Sequence, residues 1–286
     1  MITGKNHPRP FEIGSSLFEW GSCTYIAGIV NVTPDSFSGD GISENIEKAV
    51  LQALEFQELG AHIIDVGGES TRPKSIYGDS KPVSVDEELS RVLPVIEILA
   101  KDLRIPISID TYKSKVAEAC LEAGAHIVND VWGFRADPMM AKVVSQTEAV
   151  AILMHNQDGT FYKNLVPDII TQVRSMIDFA VESGVDFDKL IIDPGIGFGK
   201  TSEQNLEVLR NLLEFTTLGR PVMLGMSRKS TIGYVLDLPV EDRLEGTAAS
   251  VALSIAFGAD IVRVHDVKEM VRVSRMSDAI VRGWTH

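Results

Sequence analysis

Two periods of apolar residues alternate along the chain. Short apolar runs of β-branched and aliphatic residues end on a polar residue, and longer stretches with apolar positions three and four apart follow them. The first pattern reads as a buried strand and the second as an amphipathic helix. Three segments repeat the joint between them: Gly60-Ala61-His62-Ile63-Ile64-Asp65, Gly124-Ala125-His126-Ile127-Val128-Asn129 and Gly258-Ala259-Asp260-Ile261-Val262-Arg263. Each opens on the glycine favoured just past a helix end and runs through a β-branched pair to a polar residue. Such units in alternation imply a parallel sheet.

Taken in order, Phe11 to Gly21 predicts a small hairpin and Thr24 to Val30 a first strand, followed by a loop from Asn31 to Gly41. A helix is expected over Glu44–Leu59, a strand over His62–Val66, and a long loop to Pro82. Ser84 and Glu87 have the spacing of a capping box, and Pro94 should kink the helix they open. Strands are expected over Pro106–Ile109, His126–Val128, Val150–Met154, Leu190–Ile192, Pro221–Leu224 and Asp260–Val264. Helices are expected over Ser114–Ala123, from Asp137 to Ser145, over Pro167–Ser183, from Thr201 to Leu213, just after Ser230, over Thr247–Phe257 and from Asp266 to Arg282. Thr201 with Gln204, and Asp266 with Glu269, read as caps. Eight strands, each followed by a helix, predict an α/β fold, a (β/α)8 TIM barrel. It forms a single domain over residues 1–286 with a short N-terminal hairpin. Such a barrel takes ~250 residues.

Composition narrows the setting. The formal net charge of −13 argues against nucleic-acid or anionic-membrane partners, while leaving room for an anionic substrate at a local basic cluster. No apolar run is long enough to span a membrane, and the first ten residues lack a signal-peptide core. The two cysteines form no metal or redox motif, which points to the cytoplasm.

The expected strand ends carry the chemistry: Asn31, Asp65 with Glu69, Asp110, Asn129, His155, Asp193, Lys229, and Arg263 with His265. In β/α folds, ligands bind at the C-terminal mouth of the sheet. Burying so many unpaired polar groups has no packing rationale. Asp110 and Asp193 each admit a second reading as caps of the next helix. Carboxylates and an amide suit a flat heterocycle with amino and ring N–H groups. Arg263 and His265 fall on one strand face and suit an anion, and Asn31 can join a Mg2+ held mainly by substrate phosphates and water. Ser227-Arg228-Lys229-Ser230 opens a helix, a place that favours a carboxylate or phosphate. His62 and His126 lie at strand starts, the wrong mouth, and read as structural. Asp193-Pro194-Gly195-Ile196-Gly197-Phe198-Gly199-Lys200 fits neither a Walker A loop nor a dinucleotide fingerprint. No transition-metal cluster or acyl-transfer triad is spelled out.

That octapeptide, with Asn31-Val32-Thr33-Pro34-Asp35-Ser36-Phe37-Ser38, Asp65 to Pro73, Ser227 to Ser230 and Arg263-Val264-His265-Asp266, resembles the dihydropteroate synthase family from about Phe11 onward. The resemblance implies a transferase of folate biosynthesis, the target of sulfonamides. It would join 6-hydroxymethyl-7,8-dihydropterin diphosphate to p-aminobenzoate, giving 7,8-dihydropteroate and pyrophosphate. It implies that Asp110, Asn129, Met154, Asp193 and Lys229 hold the pterin, and that Asn31, Arg263 and His265 take the diphosphate with Mg2+ on Asn31. Phe37, Thr71, Arg72, Phe198 and Ser230, with Lys229, would surround p-aminobenzoate, and Asp35, Asp110, Lys229 and Arg263 form the catalytic set. A homodimer is a further expectation. Rival readings are a methyltransferase of the same superfamily, a pterin-binding paralogue without activity, and a Schiff-base aldolase on Lys229. Two departures stand out. The first loop reads Ser38-Gly39-Asp40-Gly41 where the family has Ser-Asp-Gly-Gly, and the second, Pro73 to Pro82, is longer, with Lys74, Tyr77, Asp79 and Lys81 unassigned.

Overall fold

The computed structural model describes residues 7–33, 42–69 and 83–284. A two-stranded antiparallel hairpin, β1 (Phe11–Ile13) and β2 (Ser16–Phe18), precedes eight parallel strands. These are β3 (Tyr25–Asn31), β4 (Ile63–Gly67), β5 (Ile107–Asp110), β6 (Ile127–Asp130), β7 (Val150–Met154), β8 (Leu190–Asp193), β9 (Met223–Leu224) and β10 (Ile261–Val264). Sequential strands pair from β3 to β8, while β10 lies between β3 and β9. A bridge between Ile192 and Val222 joins β8 to the start of β9 and brings the sheet round into a nearly closed barrel.

Helices follow the strands: α1 (Ile42–Glu58), α2 (Val85–Asp102), α3 (Ser114–Glu122), α4 (Met139–Thr147), α5 (Leu165–Glu182), α6 (Ser202–Arg210) with the short α7 (Leu212–Phe215), then α8 (Ser230–Leu236), α9 (Leu244–Ala256) and α10 (Val267–Val281). The α2 helix runs continuously through Pro94. Thr201 and Gln204 form the expected reciprocal capping box of α6. The other two caps differ. Ser84 accepts the Glu87 N–H, but the Glu87 carboxylate turns to Arg91. Asp266 makes no side-chain cap to α10 and pairs with Arg228 instead. In each case an arginine within reach offers a charge-assisted partner, which outcompetes a backbone N–H.

Strand alternation sorts the core into two layers. Tyr25, Ala27, Ile63, Ile127, Ile152, Ile191, Met223 and Ile261 form one cluster with the hairpin residues Ile13, Phe18 and Trp20. Their strand neighbours Ile26, Ile64, Ile109, Val128, Leu153, Ile192 and Val262 belong to a second cluster shared with the helices. The first cluster is the barrel interior. The hairpin closes its lower end, where Phe18 lies 4.5 Å from Tyr25 and 5.5 Å from Trp20, ring centre to ring centre. His62 and His126 sit at this end as expected, and each Nδ1 accepts a strand N–H, from Ile26 and Ile107 respectively.

No helix among the described residues is long and apolar enough to cross a membrane. Because Phe18 is fully buried in the interior cluster, Phe18→Ala is expected to cost about 3–5 kcal/mol of stability. It should appear as a lower urea midpoint at unchanged slope. An unchanged midpoint would show that the hairpin lies outside the cooperative core.

Candidate active site

The two-residue period that fills the lower barrel with Ile and Ala carries polar residues inward at its upper end. From Ile63 the inner face of β4 continues to Asp65 and Gly67, and from Ile127 the inner face of β6 continues to Asn129. From Ile191 that of β8 reaches Asp193, and from Ile261 that of β10 reaches Arg263. Asp110 on β5 and Asn31 on β3 share this parity and height, since Gly67 pairs in register with both. Two inward positions at the mouth are glycines. A Cβ on Gly67 would lie 3.6 Å from the Asp110 Cβ and 3.8 Å from Asn31 Oδ1, and one on Gly225 3.9 Å from the Arg263 Cβ. These bare positions keep space open between the polar groups.

Arg263 is the centre of the cluster. Its Nε donates to Asp65 Oδ2 at 2.5 Å and its Nη2 to Asp110 Oδ2 at 2.6 Å, while Asn129 Nδ2 donates to Asp65 Oδ2 at 3.2 Å. The second oxygens of the carboxylates, Asp65 Oδ1 and Asp110 Oδ1, and the amide oxygen Asn129 Oδ1 are buried with no hydrogen-bond partner among the described residues. Burial pushes the Asp110 carboxyl up to about 7 against the pull of Arg263. Burial likewise raises Asp193 to about 6, although its Oδ1 accepts the Gly195 N–H at 2.7 Å. Burial opposes the Arg263 charge, but Asp65 and Asp110 outweigh it and hold the guanidinium above its ordinary value. Neither Asp110 nor Asp193 caps a helix.

On the adjoining side, Lys229 Nζ stands 4.4 Å above the Phe198 ring, and Phe198 packs with Met154 and Val131. Ser230 is the first residue of α8, whose two turns give only a short dipole. The His265 Nδ1 lies 3.0 Å from Ser227 Oγ, and that oxygen also accepts the His265 N–H. Burial, reinforced by Arg263, lowers His265 to about 3, so it meets an anion as a neutral imidazole. The anion site expected on β10 is therefore one engaged guanidinium beside one uncharged ring.

Asn31, Asp110, Asn129, Met154, Asp193, Phe198, Lys229, Ser230, Arg263 and His265 thus cluster about one mouth. Asp35, Phe37, Thr71 and Arg72, the Gly39-Asp40 departure and the Pro73–Pro82 insertion lie outside the described residues.

Two residues of the expected constellation are committed elsewhere. Glu69 accepts from Tyr112 Oη and the Val83 N–H and pairs with Lys113, which also pairs with the buried Glu88. His155 follows Met154 and so takes the outward parity, where it meets Lys200 Nζ at 3.0 Å. Asp130, also outward, accepts the Trp132 and Phe134 N–H groups at 2.8 and 2.9 Å and builds the turn above β6. Sequence reasoning missed Lys113, whose carboxylate partners lie 44 and 25 positions away, and Lys200, whose imidazole partner His155 lies 45 positions away; it placed His155 at the mouth, and the structure turns it outward.

Among the described residues no group of three or more His, Cys, Asp or Glu is placed to hold a metal ion.

The model of the pterin binding enzyme family matches residues 27–265. A dihydropteroate synthase of Clostridium beijerinckii is 52% identical, over 95% of this chain and 99% of its own length. Among solved structures, the dihydropteroate synthase of Clostridium difficile, determined in the presence of pteroic acid, has a TM-score of 0.89 at 52% identity, over 93% of this chain and 99% of that one. That of Xanthomonas albilineans with 4-aminobenzoic acid also has a TM-score of 0.89, at 36% identity, over 96% of this chain and 98% of that one. With an eight-stranded barrel whose mouth gathers Asn31, Asp65, Asp193, Lys229 and Arg263 from the motifs that suggested it, the chain belongs to the pterin binding enzyme family, among its dihydropteroate synthases.

Proposed function

We propose that this chain condenses 6-hydroxymethyl-7,8-dihydropterin diphosphate with p-aminobenzoate, releasing pyrophosphate and 7,8-dihydropteroate. The relatives' name supports the reaction, and one observation carries the roles of the residues. Three buried acceptors, Asp65 Oδ1, Asp110 Oδ1 and Asn129 Oδ1, stand at the mouth end of adjacent strands without donors among the described residues. Each such group costs about 1–3 kcal/mol while unpaired. A pterin brings ring N–H and amino donors in one plane and relieves that cost. Asp193 takes the guanidine-like edge as a charge-assisted acceptor. Met154 packs on the ring, and Lys229 donates from the Phe198 side.

In the proposed reaction the C–O bond to the diphosphate breaks first, and its electron pair leaves with the pyrophosphate. The methylene cation that remains is conjugated with the pterin ring and lies among the Asp110 and Asp193 carboxylates, which stabilise it. The lone pair of the neutral arylamine then forms the C–N bond, and the nitrogen's proton is lost to pyrophosphate or water. No strong general base is needed. Arg263, His265 and Ser227 receive the leaving group. As pterin donors take up Asp110, the Arg263 guanidinium is partly released toward the diphosphate. Phe198, Lys229 and Ser230 line the arylamine side, with the Lys229 charge and the Ser230 hydroxyl meeting the carboxylate. Phe37, Thr71 and Arg72 complete that side, and Asp35 joins the catalytic set, in this reading.

The donor set fits a Mg2+ that rides on its substrate. Asn31 supplies one hard oxygen beside the bare Gly67, and diphosphate and water would supply the rest. When bound, the ion would share the charge of the departing diphosphate.

We further propose one domain over residues 1–286, a cytoplasmic setting that suits the free Cys23 and Cys120, and a homodimer. Support for the homodimer lies on the last helices, where Leu253 on α9 and Met276, Ile280 and Trp284 on and after α10 are exposed apolar side chains.

Purified protein given the pterin diphosphate, p-aminobenzoate and Mg2+ should form dihydropteroate. Omitting Mg2+ should stop pyrophosphate release, and a sulfonamide should compete with p-aminobenzoate. Tight pterin binding without turnover would replace the synthase by a binding protein. Because Asp110 and Asp193 must be ionised to accept pterin donors, lowering the pH through about 7 and then about 6 should weaken binding. Below each value the loss approaches tenfold per pH unit for that carboxylate. Asp193→Asn should remove the lower limb and weaken binding by about tenfold at alkaline pH, where calorimetry reads it directly. A flat affinity across the range would refute these roles. Sedimentation should show a dimer that Met276→Glu with Ile280→Glu converts to a monomer; a monomeric wild type would dismiss the interface.

A further inference from the structure

The Asp193–Lys200 stretch is closed on itself by its own last side chain. Lys200 is almost fully buried, and its Nζ donates to the Gly195 and Phe198 carbonyls, both at 2.9 Å. The third contact of that nitrogen is His155 Nδ1 at 3.0 Å, on the end of β7. Gly195 sits at φ 73°, and a Cβ there would fall 1.8 Å from the His155 carbonyl oxygen. Gly199, at φ 56°, would place one 2.5 Å from the Gln157 carbonyl oxygen. Glycine alone lets the loop lie this close to residues 155–157. Tyr162 Oη donates to the Gly199 carbonyl at 2.8 Å, and Asn205 Oδ1 accepts the Gly197 N–H at 2.8 Å.

The bonds from Lys200 therefore hold both ends of the turn that carries Phe198, from the side away from the pocket. The Phe198 ring is what that turn presents to Lys229. Burial lowers the Lys200 ammonium to about 7, and His155 is kept neutral, at about 2, by burial and then by Lys200 itself. A neutral imidazole leaves Nδ1 able to accept from the ammonium.

We propose that Lys200, seated on His155, is a positioning residue that sets Phe198 and thereby the arylamine side of the site, without touching either substrate. This rests on the synthase reading above. Removing the ammonium takes the Lys200 donor from the Phe198 carbonyl and leaves the Gly195 carbonyl with only the Phe198 N–H at 3.1 Å, and the turn must move to hydrate them. Of the groups assigned to the pterin, Asp110 and Asn129 on β5 and β6 stand apart from the loop, while Asp193, Met154 and Lys229 border it.

The test is a kinetic split on the full chain. Lys200→Met should raise KM for p-aminobenzoate at least tenfold while pterin affinity, measured by calorimetry, stays within twofold. His155→Leu should reproduce that split. His155→Asn should restore a near-normal KM, because the asparagine oxygen can take the place of Nδ1 as acceptor. Unchanged KM in Lys200→Met, or KM and pterin affinity worsening together, overturns the proposal. If Lys200→Met does not fold, the two His155 variants decide it by the same criteria: equal effects of Leu and Asn overturn it. Failure of the synthase reading would show separately, as absence of dihydropteroate from the wild type.

Discussion

A strand turns alternate residues to opposite faces, and in a closed barrel one of those faces is the interior. That constraint decides what each polar residue at the upper mouth can do. Inward parity places Asp65, Asp110, Asn129, Asp193 and Arg263 around one space. Outward parity sends Asp130 and His155 behind the wall, where they brace turns. The hairpin follows from the same geometry. A barrel has two open ends, and only one is needed for a ligand, so Phe18 and Trp20 fill the other with apolar surface. Binding energy can then be concentrated at the mouth, because the floor beneath it is packed solid.

The mouth is held ready by opposed charges. Two carboxylates share one guanidinium, so Arg263 stays charged where burial alone would penalise it. The arrangement is incomplete: each carboxylate uses one oxygen on Arg263 and leaves the other bare, and Asn129 uses its amide nitrogen on Asp65 and leaves its oxygen bare. Unpaired acceptors in a low-dielectric mouth are unfavourable for the unliganded fold and favourable for a ligand that supplies donors. Under the proposed function, the pterin competes with Arg263 for Asp110. Recognition of the ring and delivery of positive charge to the diphosphate are then one event.

Much of this was legible along the chain. The three glycine-led repeats give the helix-to-strand joints, and the polar residue after each apolar run marks the mouth. What was hidden were contacts between residues distant in sequence. Glu69 looks like another ligand group until Lys113, 44 positions later, is seen to occupy it together with Tyr112. Asp266 has the spacing of a cap, but Arg228 reaches it across 38 positions with two hydrogen bonds. Local patterns carry local hydrogen bonds well. They are silent on which charge a carboxylate will meet once the barrel closes.

Lys200 shows why such distant contacts matter at a glycine-rich loop. Three glycines free the backbone to turn tightly, and the same freedom leaves the turn undetermined. An apolar side chain beneath it would fill space but satisfy no carbonyl, and a buried carbonyl without a donor drives the turn toward water. An ammonium offers three donors on a flexible stem, enough for two carbonyls and one imidazole nitrogen. The loop thus gains a single conformation without a side chain on its own glycines, and the ring of Phe198 gains a fixed place opposite Lys229.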